Sequence, residues 1–319
     1  MHNIENLRKK ILSSAYTEGI QTNKEFLFQR LHLKKQTADY ALSKLEEEGF
    51  FNKTKFDLDF QALGVGKFAW VLIGVNWEKH NQDEFIKKLL ELTPILTVAD
   101  ITGTSDLAIK VFGPSISQIS SFVLGIEKLF QGTITHVHIY FANKEYKRHY
   151  LEVKNTLILK TNKIDCAILK EKTQDPKSSL IQIADKYKIH RNSVSKRWNA
   201  LWKRGIIIKE IPDLTQKGYD EIKMGLKAFM IIKTLPGCEE KIIKSLMKRK
   251  DIQDIFTTIS NEIIIIIRTE NSATLAQEHR SLTKLDCSIK RTNTSIFLTK
   301  YNKTTLSLKE MTAVMGNCK

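Results

Sequence analysis

Ile189-His190-Arg191-Asn192-Ser193-Val194-Ser195-Lys196-Arg197-Trp198, continued by Leu201 and by Gly205-Ile206-Ile207, is a stretch whose outline occurs twice in this chain. The earlier counterpart is Leu33-Lys34-Lys35-Gln36-Thr37-Ala38-Asp39-Tyr40-Ala41-Leu42, continued by Leu45 and by Gly49-Phe50-Phe51. The apolar positions fall in step: Ala38 with Val194, Leu42 with Trp198, Leu45 with Leu201. Each stretch closes one pattern, covering Ile20–Lys53 and Lys172–Lys209: an apolar helix, a short break, then a polar and basic helix stopped by glycine. Each pattern is followed by a strand–helix–strand–strand–helix–strand run. Two helix-turn-helix modules alternating with two α+β modules predict a DNA-binding regulator rather than an enzyme.

Working outward, Ile4–Ala15 has helical spacing, and a second helix is expected at Thr22–Leu31. Gln36–Glu48 is the third helix, and Phe50–Phe56 is a wing or exit strand. After the linker Asp57–Gly64, strands are expected at Lys67–Asn76, Ile95–Thr102, Leu107–Phe112 and Ile134–Phe141. Helices fall between them at Gln82–Leu92 and Ser115–Phe130. This βαββαβ order is ferredoxin-like, an antiparallel sheet with both helices on one face. Asn143–Lys163 reads as the connection between the repeats, with a strand-like piece at Thr156–Leu159. Pro212–Gly225 reads as a linker, and a second βαββαβ run follows to Tyr301. The tail Thr305–Met315 has helical character. The reading gives a winged helix-turn-helix at 1–56, a βαββαβ domain at 64–142, a second winged helix-turn-helix at 160–211 and a second βαββαβ domain at 224–302. Five successive isoleucines, Ile263–Ile267, fit a strand buried on both faces.

Composition sets limits on function. Fifty-one basic residues against thirty-five acidic ones give a formal charge of +16, which favours polyanionic partners. No apolar run reaches the roughly 18 residues that span a bilayer. The start, Met1-His2-Asn3-Ile4-Glu5-Asn6, has no signal-peptide core, so a cytoplasmic location is expected. Cys166, Cys238, Cys287 and Cys318 are scattered, which fits reduced thiols, with Cys166 and Cys287 as small core residues. His136 and His138 share one face of a strand without a carboxylate or cysteine at ligand spacing, a structural arrangement. Neither a metal nor a cofactor is expected, and no nucleophile triad, phosphate-binding glycine loop or paired-carboxylate motif stands out.

The chemistry concentrates on the second basic helix. Val194, Trp198 and Leu201 form its inward stripe, so Arg191, Asn192, Ser195 and Lys196 point outward near its start. Arg and Asn read base edges in the major groove, while Ser193 and Ser195 suit phosphate contacts. His190 and Arg197 complete the candidate surface, which Lys203 and Arg204 extend. No acidic residue occurs from Lys186 to Lys209. In the first copy Lys34, Lys35, Gln36, Thr37 and Tyr40 are the candidates for contact with double-stranded DNA, opposed by Asp39 and by Glu46-Glu47-Glu48.

With these motifs in hand, the whole chain resembles the Lrp/AsnC family of transcription regulators, represented twice. The resemblance rests on the helix-turn-helix, the linker Asp57–Gly64 entering the strand Phe68–Val75, and the hairpin Ile101–Val111 around Gly103-Thr104-Ser105-Asp106. It implies a winged helix-turn-helix coupled to a βαββαβ domain that dimerises and often binds an amino acid. A chain carrying both copies would be a homo-oligomer or an intramolecular pseudo-dimer. On this reading Gly103, Thr104, Ser105 and Asp106 are the effector candidates: glycine frees backbone N–H groups for a carboxylate, and Asp106 would face an ammonium. The second copy has Ser260-Asn261-Glu262 there, without the glycine. The alternative resemblance is to the siroheme decarboxylases of haem biosynthesis, which look like this family and bind a porphyrin. His136, His138, Arg148 and His149 are the candidates for that role.

Overall fold

The computed structural model describes residues 2–20, 31–60, 62–63, 66–153, 161–285 and 289–302. The helix expected at Thr22–Leu31, the strand-like piece at Thr156–Leu159 and the tail helix at Thr305–Met315 lie outside the described residues, apart from Leu31. The fold is α+β, with two helical modules alternating with two βαββαβ units.

The first module contains α1 (His2–Glu18), α2 (Lys35–Glu47) and β1 (Phe51–Leu58). Ile11, Leu12, Ala15 and Tyr16 of α1 pack against Leu42 and Leu45 of α2. The first βαββαβ unit runs β2 (Lys67–Val75), α3 (Gln82–Glu91), β3 (Ile95–Ile101), β4 (Leu107–Gly113), α4 (Ile116–Leu129) and β5 (Ile134–Arg148), with a short β6 (Leu151–Glu152) after it. The second helical module comprises α5 (Lys163–Gln174), α6 (Leu180–Tyr187), α7 (Arg191–Lys203) and β7 (Ile207–Leu214). A short α8 (Gln216–Glu221) lies in the stretch read as a linker. The second unit is β8 (Leu226–Thr234), α9 (Glu239–Met247), β9 (Ile252–Thr258), β10 (Ile263–Thr269), α10 (Ser272–Leu285) and β11 (Ile289–Asn302).

The two βαββαβ units share one sheet. β5 leaves its own unit at Ala142 and pairs with β9, while β11 leaves its unit at Phe297 and pairs with β3. Together with the pairings β2–β5, β2–β4, β3–β4, β8–β11, β8–β10 and β9–β10, this closes a ring of eight strands. Closure removes the free edges that would otherwise invite pairing with another chain. It also explains why β5 runs seven residues past the expected Phe141: partner strands in the other unit take up its backbone groups.

Alternation along each strand separates two cores. Ala69, Val71 and Ile73 face α3 and α4, while Phe68, Trp70 and Leu72 face the ring's interior. In the isoleucine run, Ile263, Ile265 and Ile267 face the helices of the second unit and Ile264 and Ile266 face inward, so the strand is buried on both sides. The interior is aromatic, with Trp70 and Phe229 at 5.6 Å and Phe68 and Phe256 at 5.4 Å between centroids. An apolar path continues outward through Phe112 and Phe60 (5.2 Å), and Phe56 packs edge-on against Trp198 of α7 (5.3 Å).

The expected wings do not fold back on their own modules. β1 and β7 pair antiparallel with each other, from Phe51 opposite Leu214 to Leu58 opposite Ile207. Lys55 lies opposite Ile211, so the ribbon has an approximate twofold axis near that pair. Cys166 is buried as expected but is disulfide-bonded, which corrects the reduced-thiol reading for that residue, whereas Cys238 is a free thiol. Such a bridge is set by tertiary proximity, and spacing along the chain does not reveal it. Among the described residues, no helix is long and apolar enough to cross a membrane.

Candidate nucleic-acid interface

The second module is built to hold α7 at a fixed angle. α6 opens with a capping box, in which Ser179 accepts from Gln182 N–H and the Gln182 side chain accepts from Ser179 N–H. It closes at Lys188, whose left-handed backbone (φ 53°) turns the chain sharply into α7. Ile183, Ala184, Val194 and Leu201 are buried between the helices, as is most of Trp198. This stripe fixes which face of α7 meets solvent.

Arg191, Asn192, Ser195 and Lys196 are exposed on that outer face, with Asn199 beyond them and Lys203 at the far end. Ser193 is half-buried. His190 is the N-cap, its Nδ1 accepting from Asn192 N–H at 3.3 Å, so this ring is engaged with its own helix. Arg197 is half-exposed, and its Nε lies 3.7 Å from Oδ1 of Asp165. Arg204 approaches the other oxygen of the same carboxylate at 3.9 Å. Asp165 is fully buried in the first turn of α5, where it also accepts from Asn162 N–H (3.1 Å). A buried carboxylate demands such partners, and the signal was an aspartate inside the apolar run Ile164-Asp165-Cys166-Ala167.

In the first module, Lys34, Gln36 and Thr37 are exposed at the start of α2, and Tyr40 is 66% exposed. Lys35 begins the helix, and its side chain lies outside the described residues. The acidic run at the other end is paired: Glu46 with Lys177 (2.8 Å), Glu47 with Lys44 (2.6 Å) and Glu48 with Arg8 (3.0 Å). These exposed contacts offset much of the charge that opposes phosphate, although each contributes little to stability.

The hairpin singled out for an effector is folded into its own sheet. Gly103 has φ 117°, as a tight turn requires. Asp106 accepts from Val75 N–H at 2.7 Å, tying the turn to β2. Ser105 is buried, with its hydroxyl 3.1 Å from Nε2 of His136. Thr104 reaches the mouth of the strand ring. Asp106 thus anchors a strand end through one carboxylate oxygen, and of the four residues Thr104 lines the cavity at that mouth.

No family model matches the chain. A stretch of 121 residues, 38% of this chain and 79% of the other, is 25% identical to an uncharacterized HTH-type transcriptional regulator of Pyrococcus furiosus. Among solved structures, the siroheme decarboxylase NirDL is similar with a TM-score of 0.64 at 11% identity, covering 97% of this chain and 98% of that one. The same protein with an iron-uroporphyrin III analogue gives 0.60, covering 90% and 89%. At this identity the likeness is one of fold.

Proposed function

We propose that this chain is a sequence-specific, double-stranded-DNA-binding transcription regulator of Lrp/AsnC type, and that its two halves do within one polypeptide what a dimer of single-copy proteins would do. The observation that carries the reading is the outer face of α7. Arg191, Asn192, Ser195 and Lys196 stand exposed on one helix face, no acidic residue lies between Lys186 and Lys209, and the opposite face is locked into the module's core. That is the side-chain chemistry of a helix that enters a major groove. The similarity to a helix-turn-helix regulator and the charge of +16 support the same reading.

Genome-wide occupancy of the tagged protein tests it and names the targets. Fluorescence anisotropy on an occupied duplex then tests the reader: Arg191→Ala with Lys196→Ala should weaken binding at least about tenfold, given roughly 1–3 kcal/mol for one base-reading arginine. Unchanged affinity in that double variant would remove α7 from the role.

A second reading, a siroheme decarboxylase, is favoured by the full-length fold likeness. The ring's centre is filled by Trp70, Tyr140, Phe229 and Phe297, which leaves little room there for a macrocycle. Titration with siroheme distinguishes the two, since a saturable change in its absorption spectrum supports the enzyme.

A further inference from the structure

The ring of strands opens, at the end marked by Leu72, into a cavity of about 370 Å³. This is toward the small end of ordinary ligand sites, which run from about 300 to 1,000 Å³. The cavity straddles the axis relating the two units. Leu72 lies opposite His138 on β5, and Ile231 lies opposite Asn293 on β11, so Leu72 matches Ile231 and His138 matches Asn293. All four residues line the cavity.

The match breaks one step further out. Gly74 lies opposite His136 in the first unit, whereas Lys233 lies opposite Arg291 in the second. A side chain at 74 would collide with the His136 ring, since its Cβ would sit 2.1 Å away, and His136 is held in its own half by Ser105 and Thr135. Lys233 and Arg291 instead line the cavity. Glu262 matches Asp106 but also lines it, bound to Lys233 at 3.1 Å and accepting from the Thr258 and Ser260 hydroxyls. Arg291 is oriented by donation from Nε to Asn293 (3.2 Å). One wall thus carries two cations against one carboxylate already engaged by three donors. The remaining polar lining includes His138 and the uncharged hydrogen-bonding groups of Thr104, Tyr140 and Ser295, with Leu72 and Ile231 as apolar surface.

We propose that this cavity binds one small oxyanion per chain, a carboxylate or phosphate ester bearing hydroxyl or carbonyl groups, with its anionic head on Arg291 and Lys233. An ammonium group finds no uncommitted carboxylate in the cavity wall: Glu262 holds Lys233, and Asp106 is not among the lining residues. The site therefore takes an oxo or hydroxy acid, or a phosphorylated polyol, in preference to the matching amino acid. Because the two halves differ in charge, the ligand enters in one orientation, which a symmetric pair of identical chains would not impose.

The proposal stands apart from the DNA-binding reading and is tested without DNA. Isothermal titration of the full chain with 2-oxoglutarate, L-glutamate, glycerol 3-phosphate and inorganic phosphate compares carboxylate with phosphate and oxo acid with amino acid. Saturable binding of 2-oxoglutarate or glycerol 3-phosphate at one site per chain is expected, with L-glutamate weaker than 2-oxoglutarate. Arg291→Ala should weaken it about tenfold or more, because a charge-assisted hydrogen bond is lost. Asp106→Asn should leave it unchanged. Arg291 is exposed, so thermal melting of Arg291→Ala should match the parent, and Arg291→Lys should restore part of the affinity. Failure of both probes to bind, tighter binding of L-glutamate, or indifference to Arg291→Ala would each overturn the proposal.

Discussion

Lys209 is 1% exposed, an unusual position for a lysine, and it donates to the backbone oxygens of Thr17 (2.8 Å) and His149 (2.5 Å). It lies opposite Asp57 in the β1–β7 ribbon. Burial pulls the Lys209 ammonium from its ordinary 10.5 down to about 8, against the favourable charges of Asp57, Asp254 and Glu18. Burial pushes the Asp57 carboxyl from 3.8 up to about 6, although Arg148 and Lys209 act the other way. The signs follow from proton uptake. Between about 8 and 10.5 the unfolded chain holds the proton that folded Lys209 has lost, so stability rises with pH there. Between 3.8 and about 6 the folded chain holds the extra proton on Asp57, so stability falls with rising pH. Lys110, Lys147 and Lys172 are also lowered, by burial first, and add to the alkaline rise. Urea unfolding of the parent and Lys209→Met at pH 7.5 to 10.5 should show a smaller rise in the variant. The difference is bounded by roughly 3 kcal/mol for a shift of this size. Parallel curves would mean that Lys209 is not titrating in this window.

At the scale of elements, the two arginines of α7 that sequence placed side by side separate into different tasks. Arg197 faces buried Asp165, whereas Arg191 is exposed at the helix start. Arg197→Met should therefore cost about 1–3 kcal/mol in denaturant unfolding, because it removes one of the two guanidinium groups that offset the buried Asp165 charge. Arg191→Met should stay within about 0.5 kcal/mol, as an exposed substitution does, yet weaken DNA binding. The reverse ranking would show that the Asp165 contact has been misjudged. Much of this architecture was legible in the residues. The stripe Val194, Trp198, Leu201 marked the buried face of α7, and the five isoleucines Ile263–Ile267 marked a strand packed on both faces. What escaped was set by distant pairing. Arg197 meets a buried charge because α5 brings Asp165 to it, β5 runs on to Arg148 because β9 lies alongside, and β1 finds β7 rather than a wing of its own. Likewise Lys233 and Arg291 are 58 residues apart, and only the β8–β11 register makes them neighbours.

The whole molecule behaves as two related halves whose inward sheet faces bury each other. Phe68, Trp70 and Leu72 of the first unit pack with Phe229, Ile231 and Phe256 of the second. A fragment holding residues 60–141 would expose that face, and an apolar patch of this kind drives association. Sedimentation velocity should find the fragment self-associated, and a stable monomer would count against the shared core. The same near-symmetry bears on DNA. Around the Lys55–Ile211 centre of the ribbon, one half presents Arg191, Asn192, Ser195 and Lys196, and the other presents Lys34, Gln36, Thr37 and Tyr40. Two identical modules read a palindrome, because the operator mirrors the protein's twofold axis. Two unlike readers on one chain should select two unlike half-sites. Selection from a random duplex library by the full chain should thus return a directional, non-palindromic consensus. Lys196→Ala should lower the salt slope by about one, as expected for one phosphate contact. Arg191→Ala should relax the preference in one half-site while sparing the other. A symmetric consensus, or a loss of preference spread equally over both halves, would show that the two helices do not read as distinct elements.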